Sequence, residues 1–208
     1  MPTATPYKTI EHKGAENTLA IIDYNSQFTK GIEKKVKAFN KENPGRAYRI
    51  ETYKASDLEN LAQIREHDKL IHTGGAGNPV PGSTQNSLYI CHSHQIEAEK
   101  QGGKVERLAD YQKGTGYIDV KEDDPVIGKQ GQSAIEKYHT LAVTKAPKNA
   151  KVIATSKQTL ENGEKAEIIE ALRYANGNIS VQGHPGGDTP SEILDNYLEI
   201  EKEYTKAS

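Results

Sequence analysis

The sequence predicts an α/β fold: a doubly wound, mostly parallel sheet flanked by helices. Three observations carry this expectation. Residues 18–24 (TLAIIDY) form an unbroken apolar run ending in an acid and a tyrosine, which suits a central strand buried on both faces. Phe28, Ile32, Val36 and Phe39 then recur at helical spacing, with Lys30, Lys34, Lys35, Lys37 and Lys41 mostly between them, so one helix face packs and the other is solvated. Further strand-like and helix-like segments alternate behind these two, and such sheets hold ligands at the carboxyl ends of their strands.

A chain of 208 residues has room for one such domain and its core. Residues 18–208 are read as that single domain, and the proline-containing stretch 1–17 as an extended lead-in. The formal net charge of −2 and mean hydropathy of −0.78 show no electrostatic bias toward nucleic acid or an anionic membrane, so neither is expected as a partner. No run is apolar enough for a signal peptide or a membrane span. The single cysteine excludes an internal disulfide, and a reducing cytoplasm is the expected compartment.

The remaining elements follow in order. Residues 47–53 (AYRIETY) alternate as a second strand, and Ser56 opens a short capped helix to Ile64. A third strand at 69–73 (KLIHT) delivers the chain to a glycine-rich turn, Gly74 to Pro79 (GGAGNP). Ten residues, 80–89, form a crossover too short for more than a loop or one helical turn. Residues 86–95 (NSLYICHSHQ) run from a β-type segment through Cys91 into a polar, helix-compatible segment. Strand-like pieces recur at 104–108, 116–120, 136–143, 151–155 and 168–174, and Asn176-Gly177 turns a hairpin into 178–184. Thr189-Pro-Ser-Glu192 forms a capping box that starts a last helix with an apolar stripe of Ile193, Leu194, Tyr197, Leu198 and Ile200.

Two of these features bear on chemistry. A cysteine at a strand-to-helix turn is lifted clear of the sheet, and the helix N-terminus stabilises its thiolate, which makes Cys91 a candidate nucleophile. Its other reading is a small buried hydrophobe. The glycine turn lacks both the dinucleotide spacing and the Lys-Ser/Thr of a phosphate loop. His72, His92 and His94 lie near Cys91, but the Cys-His-Ser-His spacing crowds ligands along one turn and no second cysteine is available, so no metal and no cofactor are expected.

Ile90-Cys-His-Ser-His-Gln95 followed by Gly102-Gly-Lys-Val-Glu106 resembles the Gly-x-Cys-x-Gly-His-Gln and Gly-Gly-Lys-Val block of the class I, triad-type glutamine amidotransferases. Residues 22–36 resemble the opening of the GMP synthetase version, and 74–79 the Gly-Gly-Pro-Gly-x-Pro loop. Residues 136–143 are similar to the Arg-Tyr-His-Ser-Leu block of anthranilate-synthase-type amidotransferases, and Gln182-Gly-His-Pro185 to Gln-Phe-His-Pro-Glu. The resemblance spans roughly residues 18–200 in ordered blocks and implies a flavodoxin- or Rossmann-like sheet. It also implies hydrolysis of the glutamine side-chain amide through a γ-glutamyl thioester, with ammonia passed to a separate synthase. The roles it implies are Cys91 as nucleophile, His184 as base, the amides of Gly75 and His92 as oxyanion donors, and Gln95, Thr140 and Leu141 as substrate contacts.

The pattern departs from the family at four places. Gly186 stands where the triad glutamate belongs, with Asp188 the nearest acid. Tyr89 and Ser93 replace the two glycines flanking the nucleophile, and the 80–89 crossover is short. Two other readings therefore stand beside the glutaminase: a non-catalytic binding or regulatory subunit, and a cysteine hydrolase acting on other γ-glutamyl amides.

Overall fold

The apolar run at the start of the chain becomes the strand that the architecture is built on. A computed structural model describes residues 3–64, 66–82 and 85–200. Residues 1–2 of the lead-in, 83–84 of the crossover and the end of the expected domain at 201–208 lie outside the described residues. The lead-in contributes β1 (Lys8–Ile10), followed by β2 (Asn17–Asp23), whose Leu19, Ala20, Ile21 and Ile22 are wholly excluded from solvent. Next come α1 (Thr29–Glu42), β3 (Tyr48–Lys54), β4 (Lys69–His72), β5 (Ser87–Ile90) and α2 (His92–Lys100). Four long strands follow, β6 (Lys104–Val120), β7 (Gly131–Lys145), β8 (Ala150–Thr159) and β9 (Lys165–Tyr174), then β10 (Ile179–Val181) and α3 (Ile193–Glu199).

The fold is α/β, but the sheet is only half of the expected kind. Its order is β1-β3-β2-β4-β5-β10-β9-β7-β6-β8. The five strands β3, β2, β4, β5 and β10 run parallel, whereas β6 to β9 pair antiparallel with one another. Each of those four pairs with two of the others, so this extension curls into a small barrel. The reason lies in the connections. Parallel neighbours need a crossover of a dozen residues or more, and residues 104–174 are four strands joined by the shorter segments 121–130, 146–149 and 160–164. The two strand-like pieces at 104–108 and 116–120 are one continuous strand, β6. Its exposed and part-buried residues alternate through Tyr111, Lys113, Thr115 and Tyr117, the pattern of a sheet with one wet face.

One face of the parallel strands is closed by α1 and α3, whose Ile32, Val36, Phe39, Leu194 and Tyr197 pack with Leu19, Ile21, Ile50, Ile71 and Leu88. On the other face, Ala20, Ile22, Tyr53 and Leu70 meet Leu58, Leu61 and Val80 from loops. The helix expected at 56–64 is two single 3-10 turns, Ala55–Asp57 and Leu61–Gln63. The interruption is Asn60, whose side chain accepts from the Ala62 amide while the Gln63 side chain accepts from the Asn60 amide, so a new cap starts where one continuous helix was expected.

The capping box at Thr189 does not form either. The Thr189 hydroxyl donates to the Glu136 carboxylate at 2.5 Å, and α3 begins only at Ile193 with no side-chain cap. That bond ties the segment after His184 to β7. The expected stripe is buried at Ile193, Leu194, Tyr197 and Leu198, while Ile200 lies just past the end of α3 and is partly buried.

Candidate active site

Three strand ends converge to build the site. Cys91 follows β5 and caps α2 with φ +53° and ψ −109°, a backbone conformation that side chains rarely adopt and that persists only where the surroundings enforce it. The enforcement is visible. The Cys91 amide donates to the Val181 carbonyl of β10 at 2.8 Å, while Ser93 in the first turn of α2 donates to the Thr73 carbonyl at 2.6 Å. Tyr89 is accommodated by stacking on His72 with ring centroids 4.4 Å apart. Both non-glycine neighbours are thus absorbed by specific contacts, and the strained turn is kept.

His184 lies three residues beyond β10, its amide bonded to the Glu136 carbonyl at 2.8 Å. A Cβ added to Gly74 would sit 3.0 Å from the Cys91 Cβ and 3.1 Å from His184 Cε1, so thiol and imidazole flank one bare stretch of backbone. Gly75 next to it has φ +118°, and a Cβ there would lie 2.2 Å from the Tyr24 carbonyl oxygen. Only glycine fits.

All the residues predicted from sequence, Cys91, His184, Gly75, His92, Gln95, Thr140 and Leu141, line one cavity of about 650 Å³. The Gln95 side chain is occupied by the protein itself: its Nε2 donates to the Leu141 carbonyl at 2.7 Å and to Gln182 Oε1 at 3.0 Å. The same Leu141 carbonyl lies 2.9 Å from His139 Nδ1. Gln95 therefore fixes the 140–141 backbone at the cavity wall. Among the described residues, no group of three His, Cys, Asp or Glu side chains converges as a metal site would require.

Three aromatic residues of the cavity were not anticipated as site residues. Phe28 was read as the first residue of a helical core stripe, but it precedes α1 as its cap, and its ring stacks on His184 at 4.0 Å and 25°. Tyr138 packs edge-on to both Phe28 and Tyr111. Tyr111 and Tyr138 remain 46% and 39% exposed at the rim. Only the placement of large aromatics on wet positions of β6 and β7 could have signalled this, and that placement depends on the pairing.

Position 186 explains itself sterically. A Cβ on Gly186 would lie 2.6 Å from Ile32 Cγ1 and 2.9 Å from the Ile32 amide nitrogen, and one on Gly31 would lie 2.0 Å from the Gly186 carbonyl oxygen. The first turn of α1 rests directly on the His184–Gly187 turn, in the space a side chain at 186 would need. Asp188 is exposed and makes no hydrogen bond to His184 among the described residues.

The electrostatics are those of a dry, neutral site. Burial pushes the Cys91 thiol up to about 12, against a smaller lowering by the His92 amide, because removing a charge from water penalises the ionised form. Burial, and secondarily His139, push His184 down to about 4. The Tyr138 carbonyl partly offsets that shift, and among the described residues neither ring nitrogen has a hydrogen-bond partner of normal geometry. Charge is present nearby as a buried ion pair, Lys137 to Glu170 at 2.5 Å, with Ser156 donating to Glu170 at 2.6 Å.

The sequence profile of the family described as Glutamine amidotransferase class-I matches residues 20–196. A glutamine-hydrolysing GMP synthase of Thermus thermophilus is 28% identical over 195 residues, covering 86% of this chain and 36% of that protein. This chain thus spans about a third of the length of that relative. Among solved structures, a Thermoplasma acidophilum protein described as a GMP synthase subunit is 14% identical with a TM-score of 0.66, covering 88% of this chain and 92% of that one. The glutaminase domain of Trypanosoma brucei CTPS, solved with acivicin bound, is 13% identical with a TM-score of 0.61, covering 87% and 90%. At these identities the structures attest the fold.

Proposed function

The chain belongs to the class-I glutamine amidotransferase family, and we propose that it hydrolyses the side-chain amide of glutamine at Cys91. The observation that carries this reading is the strained Cys91 turn, held with His184 at one cavity that the Gly75 loop also lines. Strain of this kind at a nucleophile is kept where presenting the sulfur matters.

In the proposed reaction Cys91 Sγ attacks the amide carbon and His184 takes the thiol proton. The Gly75 and His92 amides hold the oxyanion. His184 returns the proton to nitrogen as the C–N bond breaks, releasing ammonia and leaving a γ-glutamyl thioester. Water, deprotonated by the same imidazole, then attacks the thioester, which releases glutamate and restores the thiol. Burial disfavours both the thiolate and the imidazolium, which favours proton transfer during the attack over a preformed ion pair. Thr140 and Leu141 contact the amino-acid end of the substrate, on a backbone fixed by Gln95. The ammonia serves a synthase, as the likeness to GMP synthase suggests.

Ammonia release from glutamine by the purified protein, with Cys91→Ala beside it, tests the reading. Turnover that Cys91→Ala abolishes is expected. The absence of turnover with and without a synthase partner favours the non-catalytic reading.

A further inference from the structure

An imidazole that must take a proton and hand it on works only if its ring is held in one plane, and a hydrogen bond on the far nitrogen is the usual means. Among the described residues His184 has none of normal geometry: neither ring nitrogen meets such a partner, the Tyr138 carbonyl only partly offsetting the effect of burial, and position 186 has no room for a side chain that could supply one. The ring is nevertheless confined. Phe28 covers one face at 4.0 Å and 25°, Gly74 lies against its Cε1 edge, and the His184 amide is anchored to Glu136. Phe28 is itself braced by Tyr138, edge-on at 5.9 Å, which is in turn braced by Tyr111 at 5.2 Å.

The glycines at 31 and 186 complete the arrangement. Their missing side chains let the first turn of α1 approach the His184–Gly187 turn, and that approach brings the Phe28 ring over the imidazole. The Phe28 carbonyl accepts from the Ile32 amide at 3.0 Å, so the ring stands on the same helical turn that occupies the space at 186.

We propose that Phe28 is the positioning residue of His184, an aromatic clamp that fixes the plane of the base in place of a hydrogen-bonded acid. This rests on His184 being the base of the proposed glutaminase. A stacked ring fixes the plane of the imidazole and shields it from water, but selects no tautomer. Among the described residues, the titratable groups sharing the cavity with the ring are Cys91, His92, Tyr111, Tyr138 and His139, and none is a carboxylate.

The test compares wild type, Phe28→Leu and Phe28→Tyr by glutamine turnover and by NMR titration of the His184 ring, its signal identified by its loss in His184→Gln. In Phe28→Leu the expected result is a kcat about tenfold lower with KM within about twofold, since a general base lost from alignment affects the transition state and not binding. The His184 titration should move up by about one unit or more toward its usual range as water reaches the ring. Phe28→Tyr, which keeps the stacked ring, should match wild type in both readouts. An unchanged His184 titration in Phe28→Leu overturns the clamp whatever the activity, as does a loss of turnover that Phe28→Tyr fails to restore. If wild type releases no ammonia with or without a synthase partner, the glutaminase reading falls, and the titration still decides whether Phe28 covers the ring.

Discussion

Restoring the acid that the family pattern places at 186 should weaken this protein and leave it no faster. The clash begins at the first side-chain atom: 2.6 Å to Ile32 Cγ1 and 2.9 Å to the Ile32 amide nitrogen, against the ~3.5–4.0 Å of an optimal carbon contact. Rotating Ile32 can relieve the first contact. The second is helix backbone, bonded to the Phe28 carbonyl at 3.0 Å, so α1 itself has to retreat by the better part of an ångström. Overpacking of this kind costs about 1–3 kcal/mol, which for a chain of this size lowers Tm by about 2–12 °C. Because the penalty arises at Cβ, Gly186→Ala should show most of the loss and Gly186→Glu at least as much. The retreat also withdraws Phe28 from His184, so kcat in Gly186→Glu should fall or stay level. Thermal melts of both variants with glutamine turnover for Gly186→Glu form the assay. A gain of about tenfold or more, toward the ~10⁴ that an orienting acid can supply in a nucleophilic triad, with Tm unchanged, would refute the packing argument.

The neutral resting site makes Cys91 a sluggish thiol. Raised from 9.0 to about 12 by burial, it holds about 10³-fold less thiolate near neutral pH, partly offset by the higher nucleophilicity of a more basic sulfur, so iodoacetamide should react about 40-fold more slowly than with an unperturbed thiol. A rate equal to that of free cysteine contradicts this. Buried His94, hydrogen-bonded to Ser180 at 2.6 Å, is pushed down by burial from 6.5 to about 4. The unfolded chain therefore takes up that proton first, and stability is unaffected above about pH 6.5, falls toward pH 4 and is flat below. Between pH 7 and 5, wild type should lose about 2 kcal/mol more than His94→Gln in urea unfolding, and parallel losses would remove His94 from the account. The ion pair of Lys137 and Glu170, both buried, should make Lys137→Met cost about 3–5 kcal/mol by stranding a carboxylate, with much of it recovered in Lys137→Met/Glu170→Leu. A double variant that melts no higher than the single one would show that the stranded charge is not the cause.

How far the sequence foretold this molecule depended on the range of the interaction involved. The buried strand β2 and the helix α1 follow from local apolar periodicity and are present. The parallel sheet was overextended because strand segments in a sequence do not carry their partners. That β6 to β9 close on one another is decided by strand pairing between residues far apart, such as Tyr117 opposite Ala134 and Asp119 opposite Thr155. The Thr189 capping signal was real chemistry with the wrong partner: its hydroxyl found the Glu136 carboxylate, 53 residues away. Gly186 read as a loss, and only the approach of Gly31 and Ile32 shows it as half of a packing contact. Phe28 fitted the helical stripe in period, yet it sits one position before the helix, where its ring turns to His184.

Whether Cys91 is a substrate-directed nucleophile is read from intact mass after incubation with a glutamine-like chloroketone. One adduct is expected, located at Cys91, slowed by competing glutamine and absent in Cys91→Ser, from a protein that iodoacetamide modifies only slowly. No adduct at Cys91, or one that glutamine fails to slow, would contradict it.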